Sequence, residues 1–350
     1  MTREAKAYNI GWPKKENFVT VFVMKTWIRY HIVGLCMLGA LAGVALEARA
    51  EDPTPTDPLR SRTFHVATQD DVAYLSVSAG LRIVDISDPA SPADLSTVIL
   101  PQSASYAAVD GDVVYVAQGP AGVYLVDVSD KTKPDVISHV ETGGSAMCVA
   151  LQDDVLAIAD GSIGVTLVDV SNSAAPQTTW SFRPDGYVRG VKFYENRLYV
   201  CAGSSGVIVV EVDGDGKGNV LLDVKTAGDA RDIDFYRKTA FVADGRFGVS
   251  VLDIGDDDSP SLTSSYRTED LAHGVAFHKG YVFVADGLRG VSFYGFERGK
   301  GLTHQGRLDT LDGYADKVTV HDRKLYVAND FKGMYVFDIH TPKSPQLLTQ

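Results

Sequence analysis

Short runs of apolar residues, broken by polar turns, recur along most of the chain behind a glycine at a fixed spacing. The glycines stand 42 residues apart, with a last interval of 43: Gly80, Gly122, Gly164, Gly206, Gly248, Gly290 and Gly333. Each glycine precedes a segment rich in Val, Ile, Leu and aromatic residues, such as VYLVDVS from Val123 and VTLVDVS from Val165. This composition is typical of buried or half-buried β-strands. The pattern therefore predicts one β unit repeated seven times.

Three more strands are predicted in each unit. One comes before the glycine and ends in a tight loop, as in VLAIADGSIG from Val155, where Asp-Gly indicates a hairpin. A short strand follows a proline, as in PDVISHVET from Pro134, and another precedes a polar turn, as in GVKFYEN from Gly190. Four antiparallel strands in about 42 residues cannot bury both sheet faces alone. A closed ring supplies the neighbours, so residues 64–350 are predicted to form an all-β, seven-bladed β-propeller.

The closure of this ring stays open at the sequence level. The first copy begins near Phe64, and the last copy ends in a short fourth strand over 346–350. No exchange of a strand between the two ends is evident. The ring is expected to close by packing, or with help from residues 58–63.

The first fifty residues carry the pattern of an export signal. Met24 is followed by two positive charges, Ile32 to Leu46 is a stretch of apolar residues and glycine, and Ala48-Arg49-Ala50 offers a signal peptidase site. The apolar stretch has 15 residues, which is short for a membrane span of about 20. We therefore predict translation from Met24, cleavage after Ala50, and an exported protein: periplasmic, secreted or on the cell surface. An uncleaved anchor helix is the alternative.

The residues that follow the predicted cleavage site form a leader, and no transmembrane segment is expected in the mature chain. The leader covers 51–63 and opens with the polar, proline-rich run EDPTPTDP, which is expected to be disordered.

The repeat resembles a known family. The segments LRIVDIS-DP, VYLVDVS-D and VADG are similar to the LVIVD repeats of bacterial and archaeal exported and cell-surface propellers, over essentially all of residues 64–350. This resemblance implies the propeller fold and a location outside the cytoplasm. It implies no reaction, because the family has no established common activity. Copies four and six depart from the pattern: both lack the proline seven residues after the strand acid, and copy six has Gly295 in place of that acid.

The excess of acidic residues makes some classes of binding partner unexpected. The chain has 33 Lys+Arg and 45 Asp+Glu, and removal of residues 1–50 would leave 26 bases and 42 acids, a net charge of −16. Nucleic acids and anionic membrane surfaces are bound through an excess of Lys and Arg, so neither is an expected partner. Only Cys148 and Cys201 follow the signal. They are expected to be buried free thiols, with a single disulfide as the alternative.

One segment resembles a calcium-binding loop in sequence. Asp213 to Asn219 reads DGDGKGN, but Lys217 occupies a ligand position and no glutamate stands at the twelfth place. In the repeat register, Gly218 falls where five other copies have a proline. The segment is therefore predicted to be the fourth copy's version of an ordinary turn, and Asp256–Asp258 is interpreted in the same way. No metal site and no cofactor are predicted.

The repeat register also indicates where a function could lie. Seventeen residues before each anchor glycine, at the start of the innermost strand, stand Ser105, Met147, Arg189, Arg231, His273 and Asp316, with Phe64 at this place in copy one. We predict that Arg189, Arg231, His273 and Asp316 ring one end of the channel. The favoured interpretation is a structural ladder in which each arginine pairs with an aspartate of a neighbouring loop, for example Arg231 with Asp244. The alternative is that these four residues are a binding site for a polar or anionic ligand.

Three hypotheses of function follow. The leading one is a non-enzymatic binding or protein-interaction module whose partner is a protein or a small polar or anionic ligand at the channel face. No G-x-S-x-G, H-E-x-x-H or phosphate loop occurs in the sequence, so an enzyme is the less favoured hypothesis. That second hypothesis is a hydrolase, lactonase or lyase acting at the channel mouth through the same four residues. The third is a structural component of the cell surface.

Overall fold

A computed structural model describes residues 62–255, 259–308, 310 and 313–349. The predicted signal peptide, the leader before Arg62 and the turn at Asp256–Asp258 lie outside the described residues. Within the described part every regular element is a β-strand. A helix of the length and hydropathy needed to cross a membrane is absent from that part.

The strands follow one another in groups of four. The first four groups are β1 (Thr63–Gln69), β2 (Val72–Val77), β3 (Gly80–Asp85), β4 (Ala93–Ile99); β5 (Tyr106–Asp110), β6 (Val113–Ala117), β7 (Val123–Asp127), β8 (Asp135–Val140); β9 (Cys148–Gln152), β10 (Val155–Ala159), β11 (Val165–Asp169), β12 (Gln177–Phe182); β13 (Gly190–Tyr194), β14 (Arg197–Cys201), β15 (Val207–Val212), β16 (Gly218–Val224). The remaining three are β17 (Asp232–Tyr236), β18 (Thr239–Ala243), β19 (Val249–Asp253), β20 (Ser261–Tyr266); β21 (Gly274–His278), β22 (Tyr281–Ala285), β23 (Val291–Glu297), β24 (Gly301–Leu308); β25 (Lys317–His321), β26 (Lys324–Ala328), β27 (Met334–Asp338), β28 (Gln346–Thr349).

Each group is one antiparallel sheet whose strands are ordered as in the sequence. The first strand of every sheet contacts the first strands of the two adjacent sheets, and β25 of the last sheet contacts β1 of the first. The seven innermost strands therefore form a closed ring around a central channel. This arrangement confirms the predicted seven-bladed β-propeller.

The anchor glycines hold the third and fourth strands of a blade together. Gly122 has a positive φ of 77°, and a Cβ placed on it would lie 2.1 Å from the carbonyl oxygen of Val140. The fourth strand therefore passes too close for any side chain, in a backbone conformation that only glycine adopts without cost. The positive φ recurs at all seven anchor glycines, and the close approach recurs at all of them except Gly333, which explains why glycine returns once per blade.

The hydrophobic core is divided among the junctions between blades. Seven clusters of buried residues occur in the described part of the chain, and each joins two neighbouring blades. At the junction of the last and first blades, Tyr326 and Val336 pack against Val66 and Leu75. A single blade therefore has no core of its own, which is why the repeat needs the ring.

The ring closes by packing and by residues just ahead of the first strand. The backbone N–H of Thr63 donates to the carbonyl oxygen of Asp330 at 3.0 Å, and the guanidinium of Arg62 forms an ion pair with the Asp330 carboxylate. The bridge between Thr63 and Asp330 matches the bridge between Gly119 and Ala146 at an internal junction. Between Arg62 and Thr349, the part of the ends that the structure describes, no strand is exchanged, as the sequence indicated.

The calcium-like segment is a turn, as the register predicted. Asp213 Oδ1 accepts the backbone N–H groups of Asp215 at 3.0 Å and Lys217 at 2.9 Å. One carboxylate thus caps the bend that leads from β15 into β16. The thiols of Cys148 and Cys201 are buried and free, which confirms that expectation as well.

Candidate binding site at the channel mouth

The seven register-equivalent residues line one cavity of about 340 Å³ at the channel mouth. We call this cavity the mouth cup, and its lining consists of Phe64, Ser103, Ala104, Ser105, Met147, Arg189, Arg231, His273, Asp316 and Lys317. Arg189, Arg231, His273 and Asp316 thus converge, although a binding role for them stays a prediction. Blades one to three supply the apolar and small side of the cup.

The same backbone bond fixes every residue of this ring except Phe64, which lies at a register shift in β1. The N–H of Arg231 donates to the carbonyl oxygen of Ala243 at 2.9 Å, and the N–H of Asp316 donates to that of Ala328 at 2.9 Å. The corresponding bond is present at Ser105, Met147, Arg189 and His273. The chain therefore presents different side chains from equivalent backbone positions, and the differences between blades lie in the side chains.

Both arginines of the cup form an ion pair with the same carboxylate, that of Asp229. Arg231 places Nε 3.0 Å and Nη2 2.9 Å from Asp229 Oδ2, and Arg189 Nε lies 3.4 Å from the same oxygen. Asp244, the partner expected from the sequence, is buried and accepts hydrogen bonds from Thr226 Oγ1, Gly228 N and Ser250 Oγ. The expected pairing of Arg231 with Asp244 is therefore wrong, because that carboxylate already binds Ser250 of its own blade and the segment that connects blades four and five.

His273 is a neutral member of the ring. Burial, together with the positive charges of Arg231 and Lys317, lowers the pKa of His273 to about 4. Arg231 Nη1 lies 3.1 Å from Nδ1 and 3.4 Å from Nε2 of His273, and the hydroxyl of Tyr314 contacts Nε2. A guanidinium can only donate, so the neutral ring accepts on the side of Arg231, and the tautomer of the ring depends on these contacts together.

Asp316 carries a carboxylate that the surrounding protein does not satisfy. Its Oδ1 lies 3.5 Å from Nδ1 of His273, the nearest polar atom of the ring. Among the described residues no donor forms a hydrogen bond to this carboxylate. Burial raises the pKa of Asp316, although Lys317 opposes the shift.

A second set of charges, which the sequence analysis missed, lies deeper in the channel. Lys317 Nζ is 3.1 Å from Asp232 Oδ2 and reaches it past Gly274, where a Cβ would be 3.1 Å from the lysine side chain. Lys192 Nζ is 2.6 Å from Asp234 Oδ1. Although burial disfavours its charge, the Asp232 carboxylate holds the pKa of Lys317 above its usual value.

This lower set of charges divides the channel into two chambers. Lys317 lines the mouth cup and also a second cavity of about 780 Å³ below it. The signal for these residues was present in the repeat. Copies one, two, three and six have alanine three residues after the ring position, where copies four and five have Lys192 and Asp234.

The chemistry available at the mouth does not extend to an evident metal site. Within the described part of the chain, no group of three or more His, Cys, Asp and Glu side chains is arranged to hold a metal ion. The cup is lined by two guanidinium groups, the ammonium-bearing side chain of Lys317, one carboxylate, a neutral imidazole and an apolar wall. These groups suit the recognition of a charged small molecule.

Comparison with known sequences gives one family. The model of the LVIVD repeat matches residues 63–98, 102–142, 143–183, 227–268 and 312–350, which together are more than half of the chain. The matches fall on blades one, two, three, five and seven. Blades four and six, which depart from the pattern in sequence, are not matched. No curated protein sequence matches the chain significantly.

Solved structures share the fold at low sequence identity. The WD40 β-propeller domain of Doa1 has a TM-score of 0.66 and 10% identity, over 81% of this chain and 95% of that domain. A functionally unknown protein from Desulfotomaculum acetoxidans has a TM-score of 0.62 and 17% identity, over 76% of this chain and 90% of that one. The computationally designed Ika8 protein has a TM-score of 0.60 and 11% identity, over 78% and 82%. These similarities concern the fold alone.

Proposed function

We propose that this chain, which belongs to the LVIVD-repeat family, is an exported, non-enzymatic binding protein whose ligand occupies the mouth cup. The observation that carries the proposal is the convergence of seven equivalent positions on one cavity. Its volume of about 340 Å³ falls in the range of small-molecule sites. Polar groups occupy one side of the cavity and apolar groups the other, as in sites that orient a ligand.

The structural ladder accounts for only part of this arrangement. Asp229 balances one of the two arginines, and Lys317 and Asp232 balance each other. Arg189 Nε is buried and makes no hydrogen bond among the described residues, although Asp229 is 3.4 Å away. Arg189 and Asp316 therefore keep hydrogen-bonding capacity that faces the cup and is accessible to a ligand.

A substitution that fills the cup tests this function without knowledge of the ligand. The purified protein and its Met147→Trp variant are dialysed against a small-molecule extract of the host, and retained compounds are identified by mass spectrometry. We expect at least one compound to be retained by the wild type and lost in the variant. Ile99→Trp is the matched control, because Ile99 is 69% exposed and lies outside the cup. Equal retention by all three proteins would contradict a ligand in the cup.

Export is a separate part of the proposal, and it is supported by the sequence of residues 24–50 alone. The expected mature protein begins at Glu51. Amino-terminal sequencing of the protein recovered outside the cytoplasm checks this expectation. A chain that begins at Met1 or Thr2, or that is recovered only from the cytoplasm, would contradict it.

A protein partner at the same face is the second candidate, and one observation favours it. The hairpin tips of blades five, six and seven expose large apolar side chains around the cup: Phe247 at 50%, Leu288 at 73% and Phe331 at 70%. Exposed apolar groups beside charged ones are a usual feature of interaction surfaces. A pull-down with wild type and with Leu288→Ser/Phe331→Ser should lose a specific protein in the variant. Leu347→Ser, on the outer strand, is the control.

A further inference from the structure

The ring of the mouth cup carries opposite charges at two separated places. Arg189 and Arg231 stand on blades four and five, and Asp316 stands on blade seven, with the neutral His273 between them. A ligand with only a negative charge would bring that charge towards Asp316, and one with only a positive charge would bring it towards the arginines. A ligand that carries both charges avoids the two conflicts.

Hydrogen-bonding capacity remains on both sides of the cup. Arg189 contacts Asp229 at 3.4 Å and the face of the Tyr187 ring at 4.9 Å, and makes no hydrogen bond among the described residues. The Asp316 carboxylate lies 3.5 Å from Nδ1 of His273 and accepts no hydrogen bond among the described residues. A carboxylate would complete the guanidinium donors, and an ammonium would supply the donor that Asp316 lacks.

The third side of the cup is apolar. Phe64 follows Asp316 around the ring, and Met147 precedes Arg189, so apolar groups flank both charged positions. At about 30 Å³ for each water-sized group, a cavity of 340 Å³ holds roughly ten such groups. This is the size of a leucine or phenylalanine molecule.

These three features lead to a ligand class. Building on the proposed binding function, we propose that the mouth cup binds a free α-amino acid with an apolar side chain. The carboxylate lies against Arg189 and Arg231, the ammonium lies against Asp316, and the side chain packs on Met147 and Phe64. Proton transfer is not required, and the ligand is bound without reaction.

Calorimetric titration with L-phenylalanine tests the ligand class directly. Two comparison probes each lack one charge: 3-phenylpropanoate lacks the ammonium, and 2-phenylethylamine lacks the carboxylate. We expect wild type to bind phenylalanine at least tenfold more tightly than either probe, because each missing charge leaves Arg189 or Asp316 without its partner in the ligand. Equal binding of phenylalanine and 3-phenylpropanoate, or no binding of phenylalanine, would overturn the proposal.

Two variants test which residue binds each charged group of the ligand. Arg189→Gln is expected to weaken phenylalanine and 3-phenylpropanoate tenfold or more, and to leave 2-phenylethylamine unchanged or tighter. Asp316→Asn is expected to remove the preference for the ammonium, so that 3-phenylpropanoate binds as tightly as phenylalanine. Arg246→Gln is the control, because Arg246 is exposed on the same face outside the cup. An unchanged preference in Asp316→Asn, with an unchanged unfolding midpoint, would reject the assignment.

The failure of this inference can be told apart from failure of the proposed function. If another compound is retained by wild type and lost in Met147→Trp while phenylalanine does not bind, the cup is a binding site and the amino-acid class is wrong. If Met147→Trp loses no compound and phenylalanine does not bind, both are wrong.

Discussion

Two glycines in the same register provide a test of what fixes the blade. Gly122 has φ of 77° and Gly333 has φ of 79°, so alanine meets the same backbone cost at both. At Gly122 the new Cβ would lie 2.1 Å from the carbonyl oxygen of Val140, whereas at Gly333 no described atom lies within 4 Å. The pair therefore separates the effect of backbone conformation from that of strand contact.

The expected free energies follow from these two terms. The left-handed conformation costs an alanine about 1–2 kcal/mol, and the stiffer unfolded chain returns roughly 0.4–1 kcal/mol. Gly333→Ala should therefore lower the free energy of unfolding by about 1 kcal/mol. Gly122→Ala adds the displacement of a backbone carbonyl, for which overpacking studies suggest about 1–3 kcal/mol more.

Equilibrium urea unfolding followed by circular dichroism measures both variants. Equal slopes of free energy against urea are needed, because a changed slope would mean that the unfolding transition itself had changed. If the two variants lose the same free energy within about 0.5 kcal/mol, the close approach of the fourth strand is not what requires the glycine.

Three further outcomes are expected. Asp244→Ala should lower the free energy of unfolding in urea by about 3 kcal/mol or more, because three hydrogen-bond donors lose their acceptor. Ser250→Ala, which removes one of these donors, should lower it by about 1 kcal/mol. The pKa of His273 is lowered to about 4 in the folded protein, so as the pH falls the unfolded chain binds a proton at this histidine before the folded protein does. The free energy of unfolding, compared with that of His273→Gln, should therefore decrease by roughly 2 kcal/mol from pH 7 to pH 5. Lys317→Met should lower the free energy of unfolding by about 3–5 kcal/mol, because it leaves Asp232 buried without its cation. The same substitution in an Asp232→Asn background should lower it by clearly less, and equal losses in the two backgrounds would contradict a buried pair.

The fold could be predicted from the sequence because its determinants are local and repeated. Each anchor glycine adopts the same positive-φ conformation, and seven repetitions turn a weak signal into a clear one. The ring positions of the cup were found in the same way, by comparing copies at one register.

The pairing within the cup could not be predicted in that way. Asp229 stands two residues ahead of Arg231, in a register where the copies were not compared, and it is close to Arg189 only because blades four and five are adjacent. The tautomer and the pKa of His273 depend on burial and on charges from other blades. No spacing within a single copy contains that information.

The absence of strand exchange at the ring closure has a consequence for how the chain could be rearranged. Every blade is one continuous segment, and the junction between Thr63 and Asp330 uses the same kind of bridge as the internal junctions. The position of the chain ends is therefore not built into the propeller. A circular permutant, with the present ends joined by a short linker and new ends opened between two other blades, should fold to the same ring and present the same cup.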